Sequence, residues 1–198
     1  MLPLCPLEEV REPAGRYGTR VPRRLTIFLA AVAFVLAGCG GDDAEEVSTF
    51  EDDGFPFTFE YPGDWEKTDE ISIDQQLGSQ PDETVAVALD DENTILLQRF
   101  TLAQEITEDN LGLAKQEFDG LIQQLDPESE TEETEVAGYP ALTTDAIPLT
   151  TPEDGESRLT ILFDGDQEYL VNCQSVPEER DTVDAACEKA IESIEPAG

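Results

Sequence analysis

The side chains that could do chemistry in this sequence are carboxylates and cysteines. Its 198 residues include 46 Asp and Glu, four Cys and no His. Without His, the usual general base near neutral pH, the His-oriented nucleophile and the His-ligated metal site are all missing. No Gly-rich phosphate loop or serine-hydrolase elbow is present either. The sequence therefore excludes most of the familiar hydrolase and zinc chemistry.

Carboxylates leave two kinds of chemistry open. A carboxylate pair can act as general acid and base, as in glycoside hydrolysis, but among so many acidic residues the sequence nominates no particular pair. Acidic turns at 90–93 and 164–166 could supply oxygen ligands to calcium, although neither has the spacing of a calcium-binding loop. We therefore predict solvated turns at both places, and no metal, cofactor or catalytic residue.

Two aromatic residues, Tyr61 and Trp65, flank a turn at Pro62-Gly63. Their rings could stack on a ligand, which makes them candidate ligand-contacting residues. The competing interpretation is that they plug the end of a sheet. An aromatic pair beside a turn is more often structural, so packing is the favoured interpretation.

The segment from Arg20 to Cys39 is typical of a secretory signal peptide. Basic residues precede an apolar run, Leu25 to Ala37, of 13 residues. A membrane-spanning helix needs roughly 20 residues, so a permanent transmembrane helix is disfavoured. Residues 1–20 include three Glu and do not fit the pattern. Translation from a GTG codon at Val21 would explain them as a miscalled start.

The signal peptide ends at Leu36-Ala37-Gly38-Cys39, which resembles the lipobox of bacterial lipoproteins. In that family the cysteine thiol receives a diacylglycerol and the chain is cut just before it. The resemblance implies removal of residues 1–38, lipidation of Cys39, and an acidic tether over 39–49. The protein would then be anchored to the extracytoplasmic face of the cell membrane. The alternative is an ordinary secretory signal with a chance cysteine.

Cys173 and Cys187 remain as one pair, because Cys5 would be lost with the leader and Cys39 would be lipidated. An oxidising compartment favours a disulfide between them. The alternative is two buried free thiols.

The charge of the chain is strongly one-sided. Eleven Lys and Arg against 46 Asp and Glu leave a net charge of −35. Nucleic acid and anionic membrane surfaces repel such a protein, so we expect membrane contact only through the lipid anchor. Hydrophobic residues make up 39% of the chain, which is enough for a core and excludes an acidic disordered tail.

Two apolar spacings define the elements that must position these residues. Helical spacing predicts one helix over 107–125, with Thr107 as its N-cap, and another between Pro177 and Pro196. Alternating apolar residues predict six strands, at 55–60, 84–89, 94–102, 135–147, 157–163 and 167–174. The second and third strands form a hairpin, and Asp164-Gly165 predicts another between the last two. The acidic run 128–135 is interpreted as a solvated loop.

The order β-β-β-α-β-β-β-α predicts an α+β domain over residues 50–198, a mainly antiparallel sheet with helices on its faces. Within it, FEYPGDW at 59–65 resembles the aromatic-x-Tyr-Pro-x-x-Trp opening of PsbP-like and Mog-type domains. AGYPA at 137–141 resembles their Gly-x-Pro-Ala strand segment, and similar cysteine-bearing versions occur in Lpq-type lipoproteins of actinobacteria. The resemblance implies an α/β/α sandwich used as a binding or assembly module and not as an enzyme.

These observations predict a lipid-anchored extracytoplasmic binding or assembly module of the cell envelope. Its partner would be an envelope protein, glycan or lipid of unknown identity, and not a nucleic acid. The alternative is a carboxylate-dependent envelope enzyme. A concave cleft that holds two carboxylates with displaced pKa values would favour the enzyme.

Overall fold

The computed structural model describes residues 46–69, 80–149, 152 and 154–197. The predicted signal peptide, Cys39 and the first residues of the predicted tether lie outside the described residues. Within these ranges the chain forms ten strands and two helices. They are β1 (Val47–Phe50), β2 (Phe57–Pro62), β3 (Glu66–Thr68), β4 (Glu83–Ala88), β5 (Thr94–Ile106), α1 (Leu111–Leu125), β6 (Thr131–Val136), β7 (Tyr139–Thr144), β8 (Ile147–Pro148), β9 (Glu156–Ser175), α2 (Arg180–Glu192) and β10 (Glu195–Pro196).

The strands form two antiparallel sheets. The larger sheet has the order β3-β4-β5-β9-β7-β6, with β8 also paired to β9, and the smaller has the order β1-β2-β10. Each described pairing is antiparallel, including the predicted β4–β5 hairpin. The predicted α+β class with a mainly antiparallel sheet is confirmed.

One apolar cluster lies between the larger sheet, α2 and the smaller sheet. In β2, the side chains of Phe57 and Phe59 are buried and alternate with half-buried neighbours, as the sequence pattern predicts, and the buried Tyr61 continues the alternation beyond the predicted strand. From α2, Val183, Ala186 and Ala190 pack into the same cluster at three- and four-residue steps, which place them on one side of the helix.

A second apolar cluster lies between α1 and the other face of the larger sheet. It contains Leu111, Ala114 and Ile122 of α1 together with residues of β9 such as Ile161 and Phe163. The neighbouring Leu162 belongs to the first cluster. Since successive side chains of a strand point to opposite faces, the two helices cover opposite faces of one sheet, which is the expected α/β/α arrangement.

The predicted hairpin at Asp164-Gly165 is wrong, because β9 runs through it as one strand of 20 residues. Gly165 has φ of +63°, and the pairing of β5 with β9 shifts between Thr101 and Ile106 at this point. A residue in the left-handed region within a strand makes a bulge and does not reverse the chain. Residues 164–167, between the two buried halves of β9, are exposed or half-buried, which explains why the pattern resembled two strands joined by a turn.

The bulge also exchanges the faces of β9. Before Gly165, the odd-numbered Leu159, Ile161 and Phe163 face α1; after it, the even-numbered Leu170 does. An uninterrupted strand would keep odd-numbered residues on the α1 side throughout. Residue 168 therefore lies on the α1 face only because of the bulge.

Several boundaries differ from those expected. α1 begins at Leu111, because Asn110 and Thr107 first form a turn in which Thr107 N–H donates to Asn110 Oδ1 at 2.7 Å. Part of the acidic run 128–135 is the exposed edge strand β6, where charged side chains discourage pairing with another chain. Residues 47–49, assigned to the tether, belong to β1 and pair with β2.

Candidate functional site

The two predicted disulfide partners are bonded in the structure. Cys173 of β9 and Cys187 of α2 form a disulfide with their Cα atoms 6.1 Å apart, and each is 4% exposed. The bond ties the central strand of the larger sheet to the helix that covers it. This confirms the pairing and excludes the interpretation as two free thiols for the described structure.

Tyr61 and Trp65 belong to the first apolar cluster, where they are 8% and 4% exposed. The Tyr61 ring packs against Phe59, with centroids 6.3 Å apart. Trp65 N–H donates to the carbonyl of Pro62 at 3.1 Å and closes the turn. Neither side chain offers an open ring face for stacking, so the structure supports the structural interpretation of this pair.

The acidic turn at 90–93 uses its carboxylate internally. Asp90 Oδ1 accepts hydrogen bonds from the backbone N–H groups of Glu92 and Asn93 and from Asn93 Nδ2, each at 2.9 Å. Burial acts to raise the pKa of Asp90, but these hydrogen bonds outweigh it and the pKa is lowered. Among the residues that the structure describes, no cluster of three or more His, Cys, Asp or Glu could hold a metal ion.

A concave site does lie elsewhere, between α1 and the irregular end of β5. Pairing of β5 with β9 lapses after Thr101–Gln167 and resumes at Ile106–Gly165, so residues 102–105 leave the ladder. The resulting cleft, the α1 cleft, has a volume of about 340 Å³, a size suited to a small ligand. Its apolar walls are Leu102, Ile106, Ala114, Phe118 and Phe163.

Glu168 lines the α1 cleft and is its most unusual residue. It is 9% exposed, lies opposite Phe100 of β5, and its carboxyl has no hydrogen bond or ion pair among the described residues. Burial raises the pKa of Glu168 to about 7, because removal from water penalises the charged form. The site thus holds a carboxyl group that changes its charge near neutral pH.

Glu117 of α1 is the second carboxylate of the cleft lining, and it is exposed to solvent. Gln104 and Ala103 of β5 complete the lining and are also exposed. The arrangement is a half-open groove lined by both apolar and polar side chains, with Glu168 on its wall and the polar Gln104 and Glu117 facing solvent. Such a site can bind a ligand that is mostly apolar and presents one hydrogen-bond donor or cation.

Sequence reasoning missed Glu168, although a signal for it existed. Once helices are expected on both faces of a sheet, both faces of its central strands are buried, including charged positions. Glu168 lies between Gln167 and Tyr169 in a segment predicted as a strand, so its burial follows from the sandwich architecture. What could not be foreseen is the face, because the bulge at Gly165 decides it.

The class defined by this arrangement is the PsbP-like fold: an antiparallel sheet between two helices, with an additional small sheet on one side. The solution structure of the cyanobacterial PsbP protein CyanoP from Synechocystis has it. That protein shares 13% sequence identity with this chain at a TM-score of 0.52, covering 82% of this chain and 99% of CyanoP. At this identity the likeness concerns the fold.

Two further solved structures resemble the chain more weakly. LpqN of Mycobacterium tuberculosis, described as involved in cell envelope biogenesis, has 12% identity and a TM-score of 0.46, covering 80% of this chain and 88% of LpqN. A Bacteroides thetaiotaomicron protein has 11% identity and a TM-score of 0.45, covering 76% of this chain and 48% of its own. No protein family model and no curated protein matches the sequence.

Proposed function

We propose that this chain is a binding module, held by a lipid on Cys39 at the extracytoplasmic face of the cell membrane, with the α1 cleft as its ligand site. The observation that carries the binding function is the cleft itself: apolar walls around a buried carboxyl that has no partner in the described protein. Glu168 lines the open cleft, so a ligand in the cleft can reach its carboxyl.

The extracytoplasmic location is supported by two independent features. The buried disulfide Cys173–Cys187 is a bond that persists in oxidising compartments and is rare in the bacterial cytoplasm. The lipobox-like Leu36-Ala37-Gly38-Cys39 follows a basic and apolar leader. Neither helix in the described part of the chain is long and apolar enough to cross a membrane.

Membrane extraction followed by intact-mass measurement tests the anchor. We expect a chain that begins at Cys39 and carries a diacylglyceryl group, because two acyl chains give stable attachment where one is marginal. The variant Cys39→Ala should accumulate uncleaved or leave the membrane fraction. Wild-type protein with another mature N-terminus, or without a lipid, would refute the anchor and leave the cleft proposal untouched.

A cleft-filling variant tests the ligand site. Ala114 lines the cleft on α1, so Ala114→Met should place its side chain into the cavity. Ala185 on α2 is exposed on the opposite side of the sheet, and Ala185→Met is the matched control. Fractionated envelope lipids, glycans and peptides are added to each protein as candidate ligands. A fraction that contains the ligand should slow amide hydrogen exchange around 102–106 and 114–118 in wild type and in Ala185→Met, and not in Ala114→Met.

The alternative, a carboxylate-dependent enzyme, has one observation in its favour. A carboxyl group with a pKa of about 7 can serve as a general acid near neutral pH, and Glu168 is such a group. The mechanism also requires a second carboxylate held beside the substrate. Glu117, the other carboxylate lining the cleft, is exposed to water, so we favour binding.

A further inference from the structure

The described part of the chain has no cation to spare for Glu168. It contains six Lys and Arg, and each forms an ion pair with another carboxylate. The pairs are Lys67–Asp52, Arg99–Glu83, Lys115–Asp119, Arg158–Asp184, Arg180–Glu156 and Lys189–Glu60. A cation that pairs with the ionised form of Glu168 would therefore come from outside the described protein.

The surroundings of Glu168 select among external cations. A metal ion requires several oxygen ligands, and no group of three potential ligands exists among the described residues. The walls of the cleft, Leu102, Ile106, Phe118 and Phe163, instead favour an apolar chain. A ligand that satisfies both demands carries a single organic cation at the end of an aliphatic stem.

We propose that the α1 cleft binds a primary ammonium group carried on an aliphatic chain, with the ammonium hydrogen-bonded to Glu168 and the chain against the apolar walls. This proposal deepens the binding function proposed above and rests on it. The ammonium can belong to a free alkylamine or to a lysine-type side chain of an envelope peptide. A charge-assisted hydrogen bond to a carboxylate within an apolar cleft is among the stronger polar contacts available.

The charge of the whole protein acts in the same direction. A net charge of −35 attracts cations toward the surface and repels anions such as fatty acids and phosphates. Glu117, exposed at the cleft, adds negative charge beside the entry of the ligand. An amphipathic cation is thus favoured by both the local and the overall field.

Binding should be linked to protons. Of the groups lining the cleft, Glu168 on β9 and Glu117 on α1 are ionisable, while β5 contributes Leu102, Ala103, Gln104 and Ile106. An ammonium ion stabilises the charged form of Glu168, whose pKa burial has raised to about 7. Ligand affinity should therefore rise between pH 5.5 and about 8, with release of part of a proton below pH 7.

Calorimetric titration of the purified full chain with n-hexylammonium tests this proposal. At pH 8 the variant Glu168→Gln should bind n-hexylammonium at least about tenfold more weakly than wild type does, because the charged acceptor is gone. Glu188, an exposed residue of α2, provides the control: Glu188→Gln removes the same charge on the opposite side of the sheet and should change the affinity less than about twofold.

A neutral probe and a proton count make the test independent of the folding of one variant. n-Hexanol should bind more weakly than n-hexylammonium to wild type, and equally to wild type and Glu168→Gln. In wild type at pH 6.5, titrations in buffers of different ionisation enthalpy should show proton release with the ammonium and none with the alcohol. Equal affinity for both probes, no proton release, or equal losses in the two Glu variants would overturn the proposal.

Parallel titrations identify the source of the ammonium. Nα-acetyl-lysine-N-methylamide presents the same group at the end of a peptide side chain. Tighter binding of this compound than of n-hexylammonium assigns the site to a lysine-type residue, and the reverse order assigns it to a free amine. If neither probe binds the wild type while an envelope fraction still protects the cleft from hydrogen exchange, the ammonium proposal fails and the binding function stands.

Discussion

At the scale of single residues, Glu168 departs from the rule that buried charges are paired. Its side chain lines the α1 cleft together with leucine, isoleucine and phenylalanine side chains, and burial raises its pKa from 4.5 to about 7. The folded protein therefore holds a proton that the unfolded chain has already released between these two pH values. A group of this kind reduces the stability of the fold at neutral pH, because its ionised form is less favourable in the folded protein than in the unfolded chain.

The variant Glu168→Gln should reveal this cost through its pH dependence. In wild type, the contribution of Glu168 to the free energy of unfolding falls as the pH rises from 4.5 to about 7, and it is constant above pH 7. Gln does not titrate, so the free energy of unfolding of the variant should rise by about 3 kcal/mol relative to that of wild type over this pH interval. Urea unfolding of both proteins at intervals from pH 4.5 to 8 measures the difference.

The control for this experiment is Glu188→Gln, since Glu188 is exposed on α2. Its stability relative to wild type should change little over the same interval. The contributions of all other acidic residues cancel in such a comparison. A wild-type minus Glu168→Gln difference that is independent of pH would show that the carboxyl of Glu168 is solvated.

At the scale of elements, the bulge at Gly165 links the architecture to the site. It lets β9 pair with β7 along its first half and with β5 along its second. It also changes which residues of β9 face α1, and so directs Glu168 into the cleft. The disulfide from Cys173 to Cys187 then ties the second half of β9 to α2.

Two Gly→Ala substitutions test the role of this bulge. A Cβ at Gly165 or at Gly120 of α1 would meet no atom within 4 Å, so neither substitution causes a clash. Gly165→Ala should nevertheless destabilise the fold by about 1 kcal/mol, because φ of +63° disfavours residues with a Cβ. Gly120→Ala should stabilise it by roughly 0.5–1 kcal/mol through helix propensity. Chemical denaturation of both variants measures the two changes in the free energy of unfolding, which should have opposite signs. A Gly165→Ala variant as stable as wild type would contradict the left-handed backbone conformation of the bulge.

At the scale of the whole molecule, charge opposes compactness. Residues 1–38 contain three acidic and five basic residues, so the chain from Cys39 onward has 43 acidic and six basic residues and a net charge of −37. Each of those six basic residues already forms an ion pair in the structure. The remaining carboxylates repel one another, which destabilises the folded state at low ionic strength.

Sodium chloride should therefore raise the melting temperature. The Debye length falls from about 30 Å at 0.01 M to about 3 Å at 1 M, so the gain should develop across this range. Magnesium chloride and calcium chloride at matched ionic strength should have comparable effects. Thermal melts in the three salts measure this, and indifference to sodium chloride with a steep response to calcium alone would point to a calcium site.

The sequence by itself was enough to predict the fold class, the helices on the faces of the sheet and, with free thiols as the alternative, the pairing of the two cysteines. Local patterns carry much of that information: alternation at Phe55, Phe57 and Phe59 predicts a strand, which the structure forms over Phe57–Pro62, and apolar steps in 183–190 predict a helix face. These signals depend only on neighbours within a few residues, so they can be identified without the tertiary structure. The exported location and the anchor at Cys39 are predictions from the sequence.

Only the tertiary structure decided that Asp164-Gly165 continues a strand, that Tyr61 and Trp65 are buried, and that Glu168 faces the cleft. The same dipeptide can form a turn or a bulge, and the choice depends on β5 and β7, which lie far away in sequence and flank β9 on its two sides. A one-residue bulge then moves every later side chain to the opposite face. The site exists because pairing with distant strands places this exchange of faces beneath α1. No local sequence pattern contains that information.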